Sequence, residues 1–409
     1  MAAVASVTAY DLAVTAPATR RTKATPPRRV NGVPVYEQEF WTSKQRQANP
    51  LHEVSYRGCF KPQLPAYFID RLSKPGDLIY DPFSGRGTTA VEAALMGRNV
   101  AANDINPLSA ILTLPRLEVP LIANIDVRLR AIKVSAKLKN DIDLSMFYHP
   151  DTERELLNLR AYLQQRRDSG AEDAADRWIR MVATNRLTGH SPGFFSTYTL
   201  PPNQAVSPES QIRINEKTGK DPEYRDVRAL ILRKSMQLQS DINAAARWRL
   251  QQAAERAQFL EGSAGCSTTL ADDSVQLTVT SPPFLNVVQY AKDNWLRCWF
   301  NSLDAEAIGA GITMATSVNE WSEVMLEVLQ ELYRVTRPKG WVAFEVGEVQ
   351  RGSVNLDEAV VPLAQQAGFR VEAILINTQK FTKTSNIWGI GNNALGTNSN
   401  RIVMLQKPA

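Results

Sequence analysis

Cysteine is scarce in this 409-residue sequence: Cys59, Cys266 and Cys298 stand far apart, with no C-x-x-C pair. That spacing excludes a disulfide framework and indicates no zinc site, so a reducing cytoplasm is the expected setting. No apolar run approaches the roughly 18–20 residues needed to cross a bilayer, and no membrane partner is expected. The opening stretch, MAAVASVTAYDLAVTAPATRR, lacks a basic leader ahead of its apolar part, so a secretory signal is not expected and the chain should stay inside the cell. Internal repeats are absent as well. With 44% hydrophobic and 22% charged residues, the composition excludes a fibrous or globally disordered chain. The length predicts two or three structural units.

Charge leans positive, with a formal net +5 and a pI near 9.0. Such an excess favours a polyanionic partner, although it is also common in proteins that have none. Residues 1–35, which include the basic run TRRTKATPPRR from Thr19 to Arg29, are expected to form a flexible arm that touches phosphate or is simply solvated. Residues 36–140 contain a helical pattern from Leu64 to Leu72, a strand Leu78-Ile79-Tyr80, a glycine-rich turn, a helix with Ala90, Val91, Ala93 and Ala94 on its apolar face, and a second strand from Asn99. This is a βαβ unit, and its parallel sheet places ligands at the carboxyl ends of the strands.

Residues 141–257 turn to long charged helical patterns, Thr152 to Arg167 and Tyr224 to Arg256, around an irregular stretch from Gly189 to Gln204. They are expected to form a mainly helical insert. Strand patterns resume in residues 258–409 with Val275 to Val279, then a helix from Trp321 to Val335, a strand from Trp341 to Val346 and a last strand from Arg401 to Gln406. The expected fold is α/β, a Rossmann-like sheet split by the helical insert.

Two short segments carry chemistry. In Asp81-Pro82-Phe83-Ser84-Gly85-Arg86-Gly87-Thr88 the glycines allow positive φ and close approach of a ligand to the backbone. Read through Ala90 the turn also fits the dinucleotide fingerprint, with Asp104 about 17 to 19 residues further on. The turn therefore indicates an adenosine-type cofactor and leaves open which one. Asp104 is the candidate ribose-hydroxyl acceptor, with helix capping before Pro107 as its structural alternative. Asp81 either orients the turn or meets the cofactor.

The second segment, Ser281-Pro282-Pro283-Phe284, follows the strand Val275 to Val279. Consecutive prolines hold an extended backbone without donors and leave a rigid row of carbonyl acceptors. An exocyclic aryl amine is a weak nucleophile, since its lone pair is delocalised into the ring. Two fixed acceptors on its N–H bonds favour a pyramidal nitrogen whose lone pair faces an electrophile, so orientation and electrostatics suffice. A base handled in this way must leave the stack, and Phe284 suits a stacking platform for it. An ordinary strand-ending Pro-Pro turn with a core Phe is the alternative.

Taken together, Phe83-Ser84-Gly85-Arg86-Gly87 and Ser281-Pro282-Pro283-Phe284 resemble the DNA amino-methyltransferase family, with its F-x-G-x-G cofactor loop and [S/D/N]-P-P-[Y/F] catalytic loop. The resemblance covers roughly residues 40–125 and 258–409. It implies a Rossmann-like class I methyltransferase fold using S-adenosyl-L-methionine, with cofactor contacts at Asp81, Pro82, Phe83, Ser84, Gly85, Gly87, Thr88, Asp104 and, in an N-terminal segment, Tyr56. It further implies catalysis at Ser281, Pro282, Pro283 and Phe284, and target recognition by the insert. Serine at the first catalytic position goes with cytosine N4 in this family, and aspartate or asparagine with adenine N6. Members often carry Gly-Asp for the cofactor adenine where this chain has Gly262-Ser263, which leaves Ser263, Asp272 or Asp273 as candidates.

The implied partner is double-stranded DNA, with a cognate restriction endonuclease as a second, and no oligomeric state is specified. His190, Phe194, Phe195, Tyr198 and Asn203 form a set suited to base contacts, or to a packed connector. The arginines from Arg228 to Arg256 suit phosphate tracking, or are solvated. Other readings that fit parts of the sequence are adenine N6 methylation, RNA base methylation, a nicotinamide oxidoreductase and a non-catalytic DNA-binding protein. The oxidoreductase leaves Ser-Pro-Pro-Phe without a purpose, and the binding protein has no need of a cofactor turn.

Overall fold

The structure is a computed structural model and describes residues 28–42, 48–134, 138–200, 205–283, 290–312, 315–349, 354–378 and 399–409. Its strands in chain order are β1 (Arg28–Val30), β2 (Val33–Gln38), β3 (Leu78–Asp81), β4 (Asn99–Asp104), β5 (Gln258–Glu261), β6 (Val275–Thr280), β7 (Thr336–Val346), β8 (Glu348–Val349), β9 (Val354–Asn355), β10 (Arg370–Thr378) and β11 (Ser399–Gln406). Nine of them form one sheet in the order β1-β2-β10-β11-β7-β6-β3-β4-β5, while β8 and β9 pair separately.

From β5 to β7 the sheet is parallel, and β11 runs antiparallel to both β7 and β10. The chain steps outward from β3 to β4 and β5, then returns to the other side of β3 with β6. The strand order therefore reverses between β3 and β6, where an open α/β sheet has its ligand crevice. This is the expected Rossmann-like α/β sheet.

Residue alternation explains why the sheet is covered on both sides. Ile79, Val100 and Ala102 join one apolar cluster, whereas Tyr80 and Ala101 join the other, as the twofold period of a strand demands. The central strand β6 is buried along its whole length, in keeping with its Val and Thr content. One face is closed by the amphipathic helix Val318–Val335, whose Trp321, Met325, Val328, Leu329, Leu332 and Val335 point inward. Its N-cap is Ser317, which accepts from the Glu320 amide.

Two expectations need correction. Residues 28–35 belong to β1 and β2 at the sheet edge rather than to an arm, because Val33 and Val35 bury their side chains in the core and β2 pairs with β10. Residues 1–27 lie outside the described residues. The stretch Tyr224 to Arg256 is two helices, Val227–Leu238 and Ala244–Ala254, the second capped by Asn243, whose side chain accepts from the Ala246 amide. The helical region 141–257 packs on the sheet: Trp178 and Leu163 share an apolar cluster with Val100. No helix among the described residues is long and apolar enough to cross a membrane.

Candidate active site

At the reversal point the tips of β3 and β6 are tied together. Asp81 ends β3, and its carboxylate accepts from the Thr280 hydroxyl at 2.7 Å and from the Phe83 amide at 3.2 Å. Burial pushes the Asp81 pKa up to about 7, against the lowering effect of those donors. The Thr89 hydroxyl reaches across to the Val279 carbonyl at 3.0 Å. The glycine turn and the Ser-Pro-Pro segment are thus held as one unit, although 199 positions separate Asp81 from Thr280.

The turn itself is held by short-range bonds, with the Gly87 amide donating to the Ser84 carbonyl and the Ser84 amide to the Asn103 carbonyl at 2.9 Å. Gly87 has φ 73° and opens the helix Thr88–Leu95. A Cβ there would stand 2.1 Å from Thr113 Oγ1, so glycine is required by space as well as by φ. Asp104 sits at the end of β4. One oxygen accepts from the Gly85 amide at 2.7 Å and the other from the Asn106 amide at 2.9 Å. Burial raises its pKa, opposed by the Asn106, Gly85 and Ile105 amides. Asp104 does not cap the next helix, because Asn106 supplies the acceptor for the Leu108 amide.

These groups line one cavity. Tyr56, Asp81, Pro82, Phe83, Ser84, Gly85, Thr88 and Asp104 are all on its wall, joined by Ser263 and, from the Ser-Pro-Pro segment, Ser281 and Pro283. Pro282 is buried and absent from that lining, and Phe284 lies outside the described residues. Gly87 acts from behind, through the turn. The Ser84 hydroxyl is 4% exposed and has no partner, a buried polar atom that calls for a ligand group. Asp272 and Asp273 are elsewhere, paired with Arg334 and Lys407, so of the three adenine-side candidates only Ser263 faces the cavity.

Residues that local motifs did not reveal complete the site. Glu345, near the end of β7, is buried and accepts from the Ser281 hydroxyl and, at 2.6 Å, from Asn400. Burial raises its pKa, and those two hydrogen bonds oppose the shift. The Trp321 indole donates to the Pro283 carbonyl at 3.0 Å, so one acceptor of the proline row is already spent. The signal for Glu345 lies in strand pairing, since Thr280 stands opposite Phe344.

Segment 52–60 forms the opposite wall. Arg86 donates to the Val54 carbonyl at 2.7 Å, Arg297 and Asn185 both reach the Ser55 carbonyl, and Arg57 pairs with Asp293. In the insert, Phe194 and Phe195 are buried, with the Arg186 guanidinium over the Phe194 ring. These two phenylalanines are therefore connector packing. His190 is exposed, and Asn203 lies outside the described residues. Arg228, Arg247 and Arg249 donate to the carbonyls of Ile132, Val119 and Leu95, which corrects their reading as free phosphate trackers. Among the described residues no group of His, Cys, Asp and Glu could hold a metal.

A family described as DNA methylase matches residues 15–111, which include the glycine turn and Asp104. The type II methyltransferase M.MjaII of Methanocaldococcus jannaschii is 38% identical over 77 residues, 19% of this chain and 14% of that protein. The chain thus matches well under two thirds of that relative's length. Among solved structures, TTHA0409 of Thermus thermophilus, complexed with S-adenosyl-L-methionine, is 22% identical, covers 36% of this chain and 54% of its own, and has a TM-score of 0.22. The rRNA methyltransferase AviRa of Streptomyces viridochromogenes is 12% identical, with 88% and 90% covered and a TM-score of 0.34. The DNA methylase match thus falls on the part of the chain that holds β3, the glycine turn and Asp104 at the end of β4, and in that part the chain is similar to DNA methylases.

Proposed function

We propose that this protein methylates the exocyclic N4 of cytosine in double-stranded DNA, acting on a base turned out of the duplex. The observation that carries the reading is the Ser281 hydroxyl, which lines the same cavity as Gly85 and Asp104 and is hydrogen-bonded to the buried Glu345. S-adenosylmethionine, when bound, supplies an electrophilic methyl group. Asp104 would hold its ribose hydroxyls, the unpartnered Ser84 hydroxyl a further polar group, and the Gly85 turn its backbone-facing side.

The chain's own residues then handle the amine. Ser281 Oγ, on the cavity wall, accepts one of its N–H bonds, and the second is assigned to the carbonyl of Pro282, a buried residue next to it in the segment, so that the nitrogen lone pair is oriented. As nitrogen forms its new bond to carbon it must lose one proton. Ser281 accepts that proton while passing its own to Glu345, whose raised pKa suits it to receive one. Phe284 is assigned to stack on the base. The helical region 141–257 is assigned to recognise the target, and a restriction endonuclease with the same target would be the natural companion.

Transfer of labelled methyl to duplex genomic DNA, followed by nucleoside digestion and mass analysis, tests this. N4-methylcytosine is expected. N6-methyladenine would replace the base and keep the site, and label in RNA with none in DNA would overturn the substrate. Ser281→Ala should lower turnover about 100-fold, within the usual range for a lost proton acceptor, at unchanged cofactor affinity. Glu345→Gln should flatten the rise of rate with pH. Equal loss of turnover and cofactor affinity in Ser281→Ala would contradict this division of roles.

A further inference from the structure

Behind segment 52–60 lies a second cavity, of about 350 Å³, that the reaction above does not use. Among the described residues four cations, Lys61, Arg86, Arg186 and Lys234, and one acid, Glu53, line it. We propose that this cavity is a phosphate-oxyanion site that receives one phosphodiester of the DNA substrate. The proposal rests on the DNA reading above and deepens it.

Two observations point the same way. First, the positive charge is undercompensated. Glu53 reaches Lys234 at 3.2 Å, yet Arg186, 9% exposed, has no carboxylate within ion-pair distance among the described residues. Burial, followed by the neighbouring Arg186, lowers the Lys234 pKa. Crowding like charges in a poorly solvated place is unfavourable unless an anion joins them.

Second, the site is reachable and adjacent to the chemistry. Lys61 and Glu53 are exposed at its rim, and Tyr56 and Cys59 line both cavities. A phosphate held here would therefore lie just across one wall from the cofactor cavity. Lys61 and Lys234 bring ammonium groups to the cavity from separate parts of the chain, while Arg86 and Arg186 add positive charge with donors already given to the carbonyls of His52, Val54, Phe60 and Asn185. A nucleic-acid backbone and free inorganic phosphate share that chemistry, and experiment separates them.

Binding of a 20-base-pair duplex to the full chain would be followed by fluorescence anisotropy across a salt series. For Lys61→Gln with Lys234→Gln, the slope of log affinity against log salt should become shallower by about 0.9, the value for one lost phosphate contact. Affinity at low salt should fall about tenfold, with S-adenosylmethionine affinity unchanged by calorimetry. Glu53→Gln removes the one acid and should act in the opposite direction, tightening duplex binding, which guards against a variant that merely folds poorly. Unchanged slope and affinity in both variants would overturn the proposal. Inorganic phosphate should compete with the duplex in the wild type only weakly, at millimolar concentration. Micromolar phosphate binding that the double variant abolishes, in a protein that neither binds nor methylates duplex, would overturn the DNA occupant together with the substrate reading. Duplex binding that depends on these cations without methylation would overturn the substrate reading alone.

Discussion

Replacing Gly87 with alanine puts a methyl group where the structure has no room. The new Cβ would lie 2.1 Å from Thr113 Oγ1, 2.3 Å from Cγ2 and 2.7 Å from Cβ, all far inside van der Waals contact. The residue also keeps φ 73°, and an L-residue in that region costs about 1–2 kcal/mol. Overpacking in a filled core costs a further 1–3 kcal/mol or so. The total, about 2–5 kcal/mol, leaves the molecule by one of two routes. If the turn stays in place the whole amount appears as lost stability in denaturant unfolding. If the turn shifts to relieve the clash, the loss appears in S-adenosylmethionine affinity, at about tenfold per 1.4 kcal/mol. Thr113→Ala removes the two nearest atoms. Combined with Gly87→Ala it should recover part of the loss, whereas the φ penalty persists. Wild-type stability and affinity in Gly87→Ala, or no recovery in the double variant, would refute the steric account.

Asp81→Asn bears on pH. The folded-state pKa of about 7 lies above the unfolded value near 4, so the contribution of this group is fully present below about pH 4 and is lost as pH rises through 7. The variant, which does not titrate, should gain stability relative to wild type by up to about 1.4 kcal/mol per pH unit across that window. Unfolding at pH 4, 5.5 and 8 checks it, and a difference that is flat or of opposite sign would contradict the burial argument. Asp104→Ala leaves the Gly85 and Asn106 amides without their acceptor and removes the carboxylate assigned to the ribose. Calorimetry should find cofactor affinity reduced about ten- to a hundredfold, since hydrogen bonds to a charged group contribute about 1.5–3 kcal/mol. Unchanged affinity would remove Asp104 from the cofactor site.

The parts of the site legible in the sequence are those that act within a few residues of one another. Gly85, Gly87 and the strand before them announce the turn, and Asp104 follows at the end of the next short apolar strand. Ser281 to Pro283 follow β6 directly. Glu345 stands near the end of the strand Trp341 to Val346 but could be given no role from sequence, because its relation to Ser281 exists only through the register of β6 and β7. Trp321 reads as an ordinary buried helix residue, and its indole finds Pro283 only once the helix docks. The edge strands β1 and β2 were hidden by their arginines and Pro34, which resemble a solvated arm. In the insert, a surface arginine and one that donates to a neighbour's carbonyl look alike in sequence. Arg247 and Arg249 proved to be of the second kind.

The hydrogen bond between Thr280 and Asp81 also sets a timetable. β3 and β4 leave the ribosome early, while β6, which fills the other edge of β3, comes almost two hundred residues later. At about 5–20 residues per second this is roughly 10–40 s of synthesis. Through that interval β3 carries an unpaired edge of backbone donors and acceptors, the kind of template on which nascent chains pair wrongly. The helices from Pro150 to Ala254 emerge in the same interval and share a core with that half of the sheet. The insert therefore shelters one face of the nascent sheet before the strand that completes the active site has been made.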